Sequence, residues 1–136
     1  MIKKDFNKLN TILLIEDDEL TSSLYDMMIE ELNICNSIVI KHDGEEALEF
    51  ILEQKRIGTE PEIIFIDLKM MGMSGLELLE LLNDAKLKYN LSSKFFILTS
   101  STFHKDVEKA KELGVDDYII KPLSEEKLLL IINKYF

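Results

Sequence analysis

Cysteine is almost missing from this sequence: Cys35 stands alone, so no internal disulfide can form. It falls in an expected helix-to-strand turn, where it reads as inert. Basic residues are also in short supply, with 16 Lys and Arg against 26 Asp and Glu, a formal net charge of −10. Such a chain offers no basic stripe to neutralise the phosphates of a nucleic acid, so direct DNA binding is not expected. Nor does it suit an anionic membrane surface. No apolar run approaches the roughly 18 residues of a membrane span. The opening Met1-Ile2-Lys3-Lys4-Asp5-Phe6-Asn7-Lys8 is too polar for a secretory leader, which makes the cytoplasm the expected compartment. Internal repeats, low-complexity tracts and linkers are missing too. With 136 residues, 46% of them hydrophobic, the chain reads as a polar lead-in over 1–10 and a single domain over 11–136, long enough for a proper core.

What is present centres on Asp67. It ends the run Glu62-Ile63-Ile64-Phe65-Ile66-Asp67, entered through Pro61, whose four apolar residues read as a strand buried on both faces. An acid at that point belongs to the carboxyl edge of a sheet, where open α/β folds bind ligands. Leu68-Lys69-Met70-Met71-Gly72-Met73-Ser74-Gly75 follows as a loop, and then a leucine-rich helical pattern. Asp67 is placed to hold chemistry or to cap that helix, although Ser74 and Gly75 stand nearer its start.

Around it the chain alternates. Thr11–Ile15 is a strand stopping at the acids Glu16-Asp17-Asp18-Glu19, and Leu20, Leu24, Met27, Met28, Glu31 and Leu32 then follow helical spacing with Asp18 as N-cap. Acids in a first helical turn support the helix dipole, which accounts for Asp18 and Glu19 but not for Glu16 at the strand's end. Ser37–Ile40 is a second strand, and Asp43-Gly44 a turn before a helix over Glu45–Arg56 that carries Ala47, Leu48, Ile51 and Leu52 on one face. Leu76, Leu79, Leu82 and Leu87 mark a third helix. Lys94–Thr99 is a fourth strand, ending in the hydroxyls Thr99-Ser100-Ser101-Thr102. A fourth helix from about Lys105 to Leu113 stops at Gly114 and has only Val107, Ala110 and Leu113 to bury. Val115–Ile120 is the fifth strand, and a last helix starts near Ser124 and runs to the terminus. Five strands alternating with five helices predict an α/β fold, a doubly wound five-stranded parallel sheet in flavodoxin-like order 2-1-3-4-5.

In that order Glu16 and Asp17 lie beside Asp67. Three converging carboxylates repel one another, and a hard divalent cation such as Mg²⁺ offsets their charge. A carboxylate beside that cation is able to accept a phosphoryl group. Thr99 and Lys121 at the neighbouring strand ends supply a hydroxyl and an ammonium, the positioning and charge such a transfer needs. Each also has a plain reading: Thr99 beginning a turn, Lys121 a solvated lysine before a proline.

Together these residues resemble the receiver domain of two-component response regulators over nearly the whole chain. The resemblance is carried by Glu16-Asp17, Asp67, Thr99 and Lys121-Pro122, with Tyr118 three residues before the lysine. It implies that Glu16, Asp17, Asp67 and the backbone carbonyl of Lys69 hold Mg²⁺. It also implies that Asp67 is phosphorylated by a histidine kinase or phosphotransfer protein, that Lys121 pairs with Asp67 and then with the phosphoryl group, and that Thr99 and Tyr118 form the switch. Catalysis is then limited to the protein's own phosphorylation and dephosphorylation. The family's Met-Pro-x-Met-Asp-Gly loop here reads Met70-Met71-Gly72-Met73-Ser74-Gly75, without the proline, so a less rigid loop is expected; Ser100 stands where a small residue leaves room for phosphate.

Two other classes compete. A haloacid-dehalogenase-type phosphatase needs a second aspartate two residues after the first, and position 69 is lysine. A degenerate receiver-like interaction module has no need of the intact acids, hydroxyl and lysine. Met1 and a terminus at Phe136 suggest a stand-alone regulator. The last helix carries Leu128, Leu129, Leu130, Ile131, Ile132, Tyr135 and Phe136, more apolar surface than one buried stripe uses. With Leu128, Ile131 and Tyr135 inward, Leu129, Leu130 or Phe136 is expected to face outward, beside a movable fourth helix. This face is the expected docking place for a downstream partner or a homodimer.

Overall fold

The computed structural model describes residues 6–100 and 104–136. Its elements alternate without exception: β1 (Leu9–Ile15), α1 (Glu19–Leu32), β2 (Cys35–Lys41), α2 (Gly44–Arg56), β3 (Ile63–Asp67), α3 (Gly75–Tyr89), β4 (Lys94–Thr99), α4 (His104–Glu112), β5 (Asp117–Ile120) and α5 (Glu125–Tyr135). All strand pairings are parallel, in the order β2-β1-β3-β4-β5, the flavodoxin-like topology predicted above. Met1–Asp5, and Ser101 and Thr102 of the hydroxyl run, lie outside the described residues.

The central strands are apolar throughout because helices cover both faces of the sheet. Leu14, Phe65, Phe96 and Leu98 point to a layer closed by Tyr25 and Ile29 of α1 and by Leu128, Ile131 and Ile132 of α5. Their neighbours Leu13, Ile15, Ile64, Ile66, Phe95 and Ile97 point to the other layer, closed by Ala47 and Ile51 of α2, Leu78, Leu79 and Leu82 of α3, and Ala110 of α4. Helices α1, α2, α3 and α5 each start on a side-chain cap: Asp18 accepts from the Thr21 N–H, Asp43 from Glu46, Ser74 from Glu77 and Ser124 from Lys127. Capping of α3 by Ser74 leaves the Asp67 carboxylate available for other work.

Several local expectations are corrected. Strand β1 begins at Leu9, within the expected lead-in, and Cys35 opens β2 rather than lying in a turn. Its thiol is buried, and burial pushes its pKa up. In α1 the inward stripe is Ser22, Tyr25 and Ile29, while Leu20, Leu24 and Met27 are 70, 56 and 59% exposed. The spacing 22-25-29 turns the tyrosine under the sheet and leaves the Leu20-Leu24-Met27 stripe in solvent. Leu87 is likewise exposed, because Leu78, Leu79, Leu82 and Ala85 form the buried stripe of α3. In α5 the expectation holds for Leu130, which is exposed, while Leu128 and Ile132 are fully buried.

Candidate functional site

Register brings the acids together. Ile15 pairs with Ile66, so Glu16 and Asp67 leave adjacent strands side by side. Thr99 pairs with Ile120, so Lys121 follows on the next strand, its N–H donating to the Thr99 carbonyl at 2.8 Å. Glu16, Asp17 and Asp67 each offer a carboxylate oxygen within 4.8 Å of the others. Lys121 Nζ lies 3.0 Å from Asp67 Oδ2 and 3.6 Å from Glu16 Oε1. Every residue expected in the site is thus at one sheet edge except Tyr118, which faces outward along β5.

The charges do not cancel. Burial, then the hydrogen bond with Asp67 and the charge of Asp67, push the Glu16 carboxyl up to about 8. Burial pulls the Lys121 ammonium down, but the hydrogen bond and charge of Asp67, with Glu16 behind them, outweigh it and raise its pKa. Glu16 Oε2 is buried and has no hydrogen-bond partner among the described residues. An orphaned buried carboxylate oxygen between two further acids fits a hard divalent cation, whose preferred ligands are oxygens.

The loop after β3 is fitted around the same groups. The Lys69 N–H donates to Asp67 Oδ1 at 3.1 Å, and the Met71 N–H to Asp17 Oδ2 at 3.0 Å. Gly75 begins α3 hard against the end of β3: a Cβ there would lie 2.5 Å from the Asp67 carbonyl oxygen and 2.6 Å from Leu68 Cα. Only glycine permits that approach. Beside the carboxylate lies a cavity of about 60 Å³ lined by Asp67, Leu68, Lys69, Thr99, Ser100 and Lys121. That volume suits a group of a few heavy atoms bearing oxygens. Thr99 is buried at its rim, with Oγ1 donating to the Ser100 carbonyl at 3.2 Å. Tyr118 is 36% exposed, its ring lying under Lys111 Nζ of α4 at 5.1 Å from the centroid.

Four contributors escape the sequence reading. His42 Nδ1 donates to the Glu16 carbonyl at 2.9 Å, bracing that residue from the end of β2. The Met71 amide acts through its backbone, which no residue type announces. Gly75 carried a signal, a glycine at a helix start behind the acid, but the close approach needs the fold. Lys127 reaches the backbone carbonyls on either side of Lys121.

This sheet and edge define a class, and comparison with known proteins agrees. The family model described as "Response regulator receiver domain" matches residues 12–133. The chain belongs to that family. It is 29% identical over 122 residues to Hybrid signal transduction histidine kinase I of Dictyostelium discoideum, which aligns 90% of this chain and 7% of that protein. It is 28% identical over 124 residues to the nitrate/nitrite response regulator protein NarL of Escherichia coli (strain K12), covering 91% of this chain and 53% of NarL. The chain therefore spans about half the length of NarL and a small part of the kinase. Among solved structures it is similar to a two component response regulator from Cytophaga hutchinsonii, with a TM-score of 0.84, 31% identity, and coverage of 94% of this chain and 97% of that one.

Proposed function

We propose that Asp67 accepts a phosphoryl group from a histidine kinase or phosphotransfer protein in a Mg²⁺-dependent reaction, and that the modified domain signals through the face formed by α4, β5 and α5. The observation that carries this is the buried Asp67 carboxylate, set between Lys121 and the acid pair and opening on a cavity of phosphoryl size. When bound to Glu16, Asp17, Asp67 and the Lys69 carbonyl, Mg²⁺ supplies positive charge to the transferring oxygens.

The remaining work is the chain's own. An Asp67 oxygen attacks phosphorus, the bond from phosphorus to the donor nitrogen breaks, and the imidazole leaves with a proton from solvent. Lys121 stays beside the carboxylate and pairs with a phosphoryl oxygen as negative charge gathers there. Water later cleaves the acyl phosphate and restores Asp67, so turnover is confined to the protein itself. The new group adds roughly −1.5 to −2 charges and three acceptors. Thr99 Oγ1, which donates to the neighbouring Ser100 carbonyl, turns to donate to the new group, and Tyr118 leaves Lys111 for the space this opens.

Two exposed apolar surfaces suit the two partners. The Leu20-Leu24-Met27 stripe stands on the helix that starts at the acid pair and is a docking face for the phosphodonor protein. On the other side, Tyr118, Ile120 and Leu130 line an open groove of about 520 Å³, the face offered to a downstream partner or a second copy. Helix α4 beside it has Ala110 as its only fully buried residue, which suits an element that shifts.

Incubation with acetyl phosphate and Mg²⁺ followed by intact-mass measurement tests the acceptor. The parent gains one phosphoryl group and Asp67→Asn gains none, since an amide is a poor nucleophile and a weaker metal ligand. Labelling of the Asn variant at the parent's stoichiometry would refute the assignment. Turnover without accumulation points instead to a hydrolase, and no reaction to an interaction module.

A further inference from the structure

Lys127 occupies an unfavourable place for a cation. It lies in the first turn of α5, three residues after the N-cap Ser124, where the helix dipole is positive. An acidic or amide side chain at this position normally reaches back to the N-cap backbone N–H. A lysine has only donors and cannot do so. Its Nζ instead turns back past the helix start, donating to the Ile120 carbonyl at 2.6 Å and the Pro122 carbonyl at 3.1 Å. Those two carbonyls flank Lys121.

The segment is held from two other directions. The Lys121 N–H donates to the Thr99 carbonyl, and the Leu123 N–H to Tyr25 Oη at 3.2 Å in the core. Without Lys127, the carbonyls on either side of Lys121 lose their common anchor. The lysine side chain must span from this backbone to Asp67 Oδ2 with its ammonium at 3.0 Å. Small rotations of the flanking peptides are therefore magnified at Nζ.

We propose that Lys127 is a positioning residue for Lys121: by clamping the carbonyls of Ile120 and Pro122, it sets where the Lys121 ammonium meets Asp67 and the incoming phosphoryl group. The claim rests on the function proposed above for its kinetic consequence, but not for its geometric one. Lys127 also lines the groove under Tyr118 and Ile120, so the clamp joins the output face to the acceptor.

The test uses the full chain with Lys127→Met, Lys127→Arg and, as a control for charge on the same helix, Lys134→Met. Thermal melting checks that each is folded. The geometric readout is the Lys121 ¹⁵Nζ resonance in metal-free protein at low temperature, where pairing with Asp67 is expected to slow exchange of the ammonium protons. The clamp predicts that this protection is lost in Lys127→Met and retained in Lys127→Arg and Lys134→Met. The kinetic readout is labelling by acetyl phosphate at saturating Mg²⁺, expected to fall about tenfold in Lys127→Met, since misplacing a catalytic group by a fraction of an ångström already slows reaction. Mg²⁺ affinity should stay unchanged, and Arg should restore the rate. In a Lys121→Met background the Lys127→Met change should have no further effect, because the two act as one unit. Undiminished protection in Lys127→Met, or effects that multiply in the double variant, would overturn the proposal. If the parent itself takes no phosphoryl group, the function fails while the protection measurement still decides the clamp.

Discussion

The same sheet carries buried or half-buried carboxylates at both ends, and the two sets differ in how closely they are gathered: only at the carboxyl edge do three meet within 4.8 Å among the described residues. At the amino edge Glu62 accepts from the Asn10 and Thr11 amides at 2.7 and 3.0 Å, and Asp116 from the Phe95 amide at 2.8 Å. Glu60 there accepts from the Ser92 amide at 2.8 Å and from the Ser92 hydroxyl through Oε1, while its buried Oε2 has no hydrogen-bond partner among the described residues and lies 3.9 Å from Lys55 Nζ. These acids take up N–H groups at strand starts and stitch neighbouring segments together. At the carboxyl edge Asp67 and Asp17 each accept one loop amide, Glu16 Oε2 has no hydrogen-bond partner among the described residues, and Lys121 pairs with Asp67 and Glu16. An acid at the start of a parallel strand finds donors in the backbone. At the end of one it must find them in a side chain or a metal, which is why chemistry gathers there.

The contrast is broken most severely by exchanging amides for acids at each end. Asp17→Asn should lower Mg²⁺ affinity by more than about tenfold, the lower range seen even for residues that merely orient ligands. The Mg²⁺-dependent rise in melting temperature reads this, and Glu62→Gln should keep the parent's rise. Equal losses in both would erase the distinction between the edges.

The converse experiment measures stability. Glu62→Ala removes two charge-assisted hydrogen bonds and should cost about 1.5–3 kcal/mol in urea unfolding while leaving acetyl phosphate labelling intact. A loss of labelling rate with no loss of stability would mean that the amino edge also serves the reaction.

Acidity separates the edges in a third way. The folded pKa of Glu16 is raised from 4.5 to about 8, so between these values the native metal-free protein holds a proton that the unfolded chain has released. Its contribution to stability is full below pH 4.5 and is lost as pH rises through about 8. Urea titrations without metal should show this decline, and Glu16→Gln should remove it. The difference between the two proteins isolates the residue from other titrating groups. Mg²⁺ bound at the proposed site would compete with that proton and should stabilise the parent more at pH 8 than at pH 6.

The smallest effect concerns the aromatic on β5. Lys111→Ala removes an exposed cation–π contact of about 0.5–1 kcal/mol and should let Tyr118 move inward more readily. Tyrosine fluorescence with and without beryllofluoride reads the shift; a parent-like midpoint for the mimic would remove Lys111 from the switch.

Much of this is legible in the sequence because the signals are local. Apolar runs that stop at an acid, a hydroxyl or a lysine mark strand ends, and alternation with helical spacing supplies parallel order, so Glu16, Asp17, Asp67, Thr99 and Lys121 could be grouped from position alone. Helix orientation was less legible. In α1 the apolar residues Leu20, Leu24 and Met27 look like a core stripe, yet Tyr25 reaches Leu123 across the core and turns them outward. A bond made through the backbone amide, such as that of Met71, leaves no trace in residue type, and the partner of the His42 ring is a backbone carbonyl that no residue type marks. Lys127 did leave one, a cation in a first helical turn, but its meaning depends on where two carbonyls lie.

Gly75 gives the site a direction. With the start of α3 pressed on the Asp67 carbonyl and Leu68, the wall behind the acceptor has no slack, and any side chain there would collide with backbone. The opposite wall is made of side chains: Thr99, Lys121 and, beyond them, Tyr118 on an edge strand. A charge arriving at Asp67 therefore meets an anvil on one side and a row of hinged parts on the other. If Asp67 is the acceptor proposed above, a displacement starting there would be directed from β3 through β4 to β5, because the backbone pressed against Gly75 leaves the other side no room.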